Sequence, residues 1–264
     1  MLGAIIGDIV GSRFEWDNNR SKDFEFFTDK CFATDDSIMS LAVAKAILES
    51  KKDYSDLPEN TIKNMQKIGR NYPDCGYGGS FYGWIFSDNP QPYNSYGNGS
   101  AMRISAVGFA SESLEETKRL SELVTNVSHN HPEGIKGAEA TAVCIYMARN
   151  GKTIEEIKKY IIDNYYNIDF TLDEIRDTYK FNETCQDTVP QALEAFFESN
   201  NFEDAIRNAI SIGGDSDTVA AICGGIAEAY LRNKVLKFLN KELTEILVEF
   251  EEKYIPKIEE EKRK

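Results

Sequence analysis

The sequence predicts an all-α fold. Apolar residues recur at helical spacing from one end of the chain to the other, several of these runs open on an Asp, Ser or Thr capping signal, and no stretch alternates with period two between hairpin turns. The opening MLGAIIGDIVG (1–11) is apolar but interrupted by Asp8. It lacks a basic leader and is too short to span a bilayer, so it reads as a buried first helix and not as a signal peptide or membrane anchor. TDDSIMSLAVAKAILES (34–50) opens on Thr34, Asp35 and Asp36 and sets Ile38, Leu41, Ala42 and Leu48 at helical spacing. Residues 71–103, loaded with Gly, Pro, Asn and aromatics, form the longest irregular stretch, of the kind that is functional or mobile. SLEETKRLSELVTNV (113–127) carries a capping box in Ser113 and Glu116 ahead of a stripe of Leu114, Leu120, Leu123 and Val124. TIEEIKKYIIDNYY (153–166) repeats the device with Thr153 and Glu156. GIKGAEATAVCIYMARN (134–150) and DTVAAICGGIAEAYL (217–231) are rich in Ala and Gly, which lets helices approach closely, and both read as central helices. The tail EEKYIPKIEEEKRK (251–264) reads as a solvated charged end. With no linker, low-complexity tract or internal repeat, the chain reads as one domain over 1–264.

Composition bounds the function. The 44 acidic against 30 basic residues give a net charge of −14, which excludes a sequence-independent grip on nucleic-acid phosphates. A small phosphate-bearing ligand stays open, because glycine-rich loops and helix N-termini hold one without a basic surface. Cys31, Cys75, Cys144, Cys185 and Cys223 are scattered, odd in number and never spaced C-x-x-C. They read as free thiols in a reducing cytoplasm, with no membrane attachment and a monomer expected.

The chemistry-bearing pattern is a pair of acidic helix starts. IGGDSDTVAA crowds Asp215 and Asp217 behind two glycines and ahead of an apolar helix, and ATDDSIM does the same with Thr34, Asp35 and Asp36. Like charges about 4 Å apart repel by roughly 4 kcal/mol at an effective dielectric near 20. A helix cap accounts for one such aspartate but not for the pair. If the two starts converge, four carboxylates and the hydroxyls of Thr34 and Thr218 make an all-oxygen cage suited to Mg²⁺, Mn²⁺ or Ca²⁺. Glu15 follows a glycine-punctuated turn in GDIVGSRFEW, and SYGNGSAMR (95–103) leads backbone N–H groups into a helix at Ala101, the arrangement of an anion nest. His129 and His131, in SHNHPEG, form an H-x-H pair without Cys partners, which reads as helix entry or ligand contact before zinc.

In this order, GDIVGSRFEW, ATDDSIM, GYGGSF, SYGNGSAMR, SHNHPEGIKGA and IGGDSDTVAAICGGIAEAY resemble the ADP-ribosylglycohydrolase family, over residues 1 to about 231. The resemblance implies a compact orthogonal multi-helix bundle with a metal-floored cleft, two divalent cations (Mg²⁺ or Mn²⁺), and hydrolysis of the bond joining the terminal ribose of ADP-ribose to a protein or small-molecule acceptor. It assigns Thr34, Asp35 and Asp36 to one cation and Asp215 and Thr218 to the other, with Asp217 bridging. Glu15, Asp36 and Asp217 become catalytic, Glu15 as base, acid or gate. Ser95, Tyr96, Gly97 and Asn98 are implied to cradle the diphosphate and distal ribose, His129 to lie near the phosphates, and Gly76, Tyr77 and Gly78 to line the ribose. Asn94 departs from the family, where glycine is frequent. Two rival readings use the same residues: a catalytically silent ADP-ribose-binding or crystallin-like relative, and a two-metal phosphohydrolase of nucleotide diphosphates.

Overall fold

The computed structural model describes residues 1–254, so most of the charged tail lies outside the described residues. In chain order the helices are α1 (Leu2–Gly11), α2 (Asp35–Glu49), α3 (Leu57–Gly69), α4 (Gly79–Phe86), α5 (Gly99–Met102), α6 (Ser105–Ala110), α7 (Leu114–Thr125), α8 (Pro132–Arg149), α9 (Ile154–Asn164), α10 (Leu172–Ile175), α11 (Cys185–Phe197), α12 (Phe202–Ser211), α13 (Ser216–Leu236) and α14 (Lys241–Tyr254), with a 3-10 turn at Ser12–Phe14. Among the described residues there is no β-strand, only an isolated bridge between Gly97 and Thr184. Nor is any described helix long and apolar enough to cross a membrane.

The Ala/Gly-rich helices are central, as their composition predicts. Residues 211–227 are buried without interruption, and α8 buries most of its length beside them. One apolar cluster joins α8, α9, α11, α12 and α13; a second joins α2, α3, α4 and α7 through Met39, Val43, Met65, Trp84 and Leu120. Helix α1 lies directly on α13: a Cβ added to Gly7 would stand 2.0 Å from the Ala220 carbonyl oxygen, so only glycine permits this approach. That contact sets the first residues of the chain against the acidic start of α13.

Several local expectations are corrected. On α2 the inward face carries Asp36, Met39, Val43 and Ala46, whereas Leu41 is exposed and Leu48 is 84 % exposed, so the helix sits rotated from the stripe read in the sequence. Residues 71–103 are less irregular than their composition suggests, since GSFYGWIF folds as α4 and buries Phe81, Trp84 and Ile85. Helix α5 begins at Gly99, not Ala101. The capping box at Thr153 and Glu156 is complete, but at Ser113 only half forms: Ser113 Oγ accepts from the Glu116 N–H at 3.0 Å while the Glu116 carboxylate turns to the Glu112 N–H at 2.7 Å.

Candidate active site

The two acidic helix starts meet. Thr218 Oγ1, in the first turn of α13, donates to Asp36 Oδ2, in the first turn of α2, at 3.1 Å. Glu15, Asp215 and Asp217 each bring a carboxylate oxygen within 4.8 Å of the other two. All five of these residues, with Asp35, line the floor of a cleft of about 640 Å³.

Backbone geometry explains how such crowding is held. Gly213 and Gly214 both take left-handed φ, +67° and +77°, and turn the chain so that Asp215 reaches the cap position of α13. Asp215 does not act as a cap: its carboxylate makes no capping bond and accepts instead from Asn98 Nδ2 at 2.6 Å. On α2 the capping task falls to Thr34, whose Oγ1 accepts from the Asp36 N–H at 3.3 Å, and this leaves Asp35 and Asp36 unspent. Asn18 clamps the Glu15 loop to the glycine turn, donating to the Gly214 carbonyl at 3.0 Å and accepting from the Gly214 N–H at 2.8 Å.

Electrostatics leave the cluster with crowded carboxylate charge and no compensating cationic side chain among its described partners. Burial pushes the carboxyl of Glu15 up to about 7 and that of Asp35 up to about 8, and the charge of Asp217 adds to both. Asp36 and Asp215 are raised well above the ordinary range, again by burial and then by Asp217. Asp36 Oδ1 is buried with no hydrogen-bond partner. A hard divalent ion satisfies such an oxygen and relieves the repulsion, so the donor set fits an Mg²⁺-, Mn²⁺- or Ca²⁺-type ion, and no cysteine or histidine enters it.

The other expected residues divide. Gly76, Gly78, Ser95, Tyr96, Gly97, Asn98 and His129 line the cleft walls. Tyr77 does not: its ring packs edge-on to Phe81 at 5.6 Å and its buried hydroxyl lacks a partner, because alternation along this loop turns it into the second apolar cluster. Thr34 lies behind the floor and donates to Asp8 Oδ1 at 2.7 Å. The expected anion nest is partly spent, since the Gly97 N–H donates to Ser95 Oγ and the Asn98 N–H to the Glu183 carbonyl. Asn94 takes φ +55°, which Asn tolerates better than other side-chain-bearing residues, and so stands in for glycine. His131 is a helix-entry residue: its Nδ1 accepts from the Glu133 N–H at 3.1 Å.

A family model described as ADP-ribosylglycohydrolase matches residues 1–247. The chain belongs to the ADP-ribosylglycohydrolase family. Its members are hydrolases of glycosyl bonds. Similar proteins include the ADP-ribosylarginine hydrolase Tri1 of Pseudomonas putida (28 % identical, covering 87 % of this chain and 68 % of the relative) and the ADP-ribosylhydrolases ARH3 of Xenopus tropicalis and Homo sapiens (24 % and 22 % identical, covering 87 % of this chain and 85 % and 84 % of theirs). The solved structure of an ADP-ribosylglycohydrolase-related protein complex shares the fold, with a TM-score of 0.66 at 22 % identity over 87 % of this chain and 84 % of the other.

In this member of the family, sequence reasoning passes over three parts of the site. Asp8, fully buried on α1, accepts from Thr34 Oγ1 and from the N–H groups of Thr34 and Ser37, and so holds the start of α2 in place from a different helix. A charged residue inside the apolar run AIIGDIVG was the available signal. Residues 181–184 form one wall and place Phe181 against Trp16, their rings 4.9 Å apart. Arg103 is fully buried yet lines the cleft. Nothing in its local sequence distinguishes it from an ordinary helix-end arginine.

Proposed function

We propose that this cleft hydrolyses the glycosidic bond between the terminal ribose of ADP-ribose and its acceptor, reversing ADP-ribosylation. The observation that carries the reading is the contact of Asp36 with Thr218, beside the Glu15, Asp215 and Asp217 carboxylates, in a cleft otherwise walled by glycine-rich loops. Asp35, Asp36, Asp215, Asp217 and Thr218, with Thr34 behind them, are the residues that would hold two Mg²⁺ or Mn²⁺ ions. Such ions supply Lewis acidity: they fix the vicinal hydroxyls of a furanose and lower the pKa of water.

The chain's own residues do the rest. Asp217 would be the ligand shared by both ions: its carboxylate oxygen lies within 4.8 Å of those of Glu15 and Asp215 at the centre of the cluster. Glu15 handles the proton from the cleft floor, where burial favours its protonated form. The crowded carboxylates stabilise the positive charge that develops at the anomeric carbon. Asn98 fixes Asp215, while the loop from Ser95 to Asn98 and His129 take the diphosphate side. We place the acceptor at the cleft mouth beside Glu15, where Trp16 is 79 % exposed and stacks on Phe181.

Incubation with a panel of differently linked ADP-ribose conjugates, with and without EDTA, tests the reading. Free ADP-ribose in the metal-replete reaction alone is the expected product. AMP with ribose phosphate would instead assign a phosphohydrolase, and tight ADP-ribose binding without any product a silent relative.

A further inference from the structure

His129 is nearly fully buried, and its tautomer is settled by its neighbours. Arg103 Nη2 lies 2.8 Å from Ser128 Oγ and 3.3 Å from His129 Nδ1, and Ser128 Oγ lies 2.9 Å from the same Nδ1. A guanidinium only donates, so the serine oxygen accepts from Arg103 and has its own proton left to give. That proton goes to Nδ1, which thereby receives two donors and carries no hydrogen. The imidazole proton sits on Nε2. This atom faces the glycine loop: a Cβ added to Gly99 or Gly97 would stand 3.4 or 3.5 Å from it. Phe81 and Tyr93 flank the ring edge-on at 6.0 and 5.5 Å and prevent it from turning over.

Charge works the same way. Burial and then the Arg103 cation hold the His129 pKa well below its ordinary value. Tyr93, the other titratable group against the ring, is itself held neutral by burial. Arg103 makes no ion pair, and its Nε and Nη1 have no partner, so the chain keeps a costly unpaired cation behind this histidine.

We infer that Arg103 and Ser128 are positioning residues that lock His129 as an uncharged Nε2–H donor aimed at the anionic part of the ligand, over the whole physiological pH range. The inference rests on the proposed ADP-ribose reading only for the identity of that anion, its diphosphate. A donor that cannot titrate gives the phosphate wall a constant strength while proton transfer proceeds at Glu15.

The chain has two histidines, which makes the test clean. Long-range ¹H–¹⁵N correlation spectra of the ligand-free protein, assigned with His131→Gln, should show His129 as the Nε2–H tautomer without titration between about pH 5 and 8. An Nδ1–H tautomer, or an imidazolium forming near pH 6.5, would overturn the lock whatever the enzyme's substrate. Removing the buried Arg103 threatens folding, so the functional arm uses Ser128→Ala. ADP-ribose binding to the metal-loaded variant should weaken roughly five- to tenfold at pH 7, with kcat little changed. Unchanged binding would overturn the positioning role. If the intact protein ignores ADP-ribose, the substrate reading fails, while the spectra still decide the lock.

Discussion

Replacing Asp217 by Asn removes the charge that acts on every other carboxylate of the cluster, without removing a heavy atom. Its oxygen lies within 4.8 Å of those of Glu15 and Asp215, and at an effective dielectric near 20 each ionised pair costs about 3 kcal/mol. Partial protonation relieves much of this at neutral pH, so about 2 kcal/mol is the expected gain in stability for the metal-free protein. For a chain of this size that corresponds to a rise in Tm of about 4–8 °C. The pH dependence has a definite sign. In the metal-free protein Asp35, Glu15 and Asp8 are raised to about 8, 7 and 6, so the native state binds protons that the unfolded chain has released. Stability therefore falls as pH rises through this window, and the variant flattens the slope. Mg²⁺ should raise the melting temperature of the parent and not of Asp217→Asn, and hydrolysis should drop at least about a hundredfold. Thermal melts in EDTA and in Mg²⁺ from about pH 6 to pH 8.5, paired with product assays, read all of this. A variant that melts lower than the parent in EDTA and still turns over substrate would refute the shared-ligand reasoning.

Other outcomes follow from the same geometry. Glu15→Gln should lower kcat by about 10²-fold or more with KM little changed, and should erase the pH–rate limb that Glu15 contributes; equal rates would remove it from proton transfer. Gly76→Ala forces a side chain onto φ +116° with its Cβ 2.9 Å from Asp35 Oδ1; we expect about 1–3 kcal/mol of destabilisation, read by denaturant titration, together with lost activity. Trp16→Ala, at an exposed position, should change stability by less than about 1 kcal/mol yet raise KM for conjugates and not the affinity for free ADP-ribose. Thr153→Ala, which breaks the intact capping box far from the cleft, should cost about 1 kcal/mol of stability and leave turnover untouched.

What could be read from the sequence was what local chemistry controls. The central position of α8 and α13 was legible in their Ala and Gly content, and the convergence of the two acidic starts in the implausibility of leaving such charge pairs unrelieved. The rotation of α2 was not legible, because Leu41 and Leu48 are as apolar as the Met39 and Val43 that face inward, and only packing against the neighbouring helices chooses between them. The segments that became α3, α11 and α12 carry no element in the sequence reading; α11 contains Pro190, ordinarily a helix breaker, which the packed interior accommodates. Asp8, Arg103 and the wall at 181–184 escaped because their roles arise from partners far away in the chain. Tyr77 was misplaced for a related reason: a loop motif says which residues are near a cleft but not which side chain faces it.

The ligands of the proposed ion pair come from opposite ends of the folded core, one set following α1 and the other opening α13, and α1 and α13 touch through Gly7 and Ala220. During synthesis about 180 residues beyond Asp36 must therefore be made before it can meet Asp217. A shortened chain ending before Gly213 would keep α1 through α12 and yet possess half a cation cage. On the proposed reading, competence is thus a property of the finished tertiary structure, and a chain truncated before α13 should be inert.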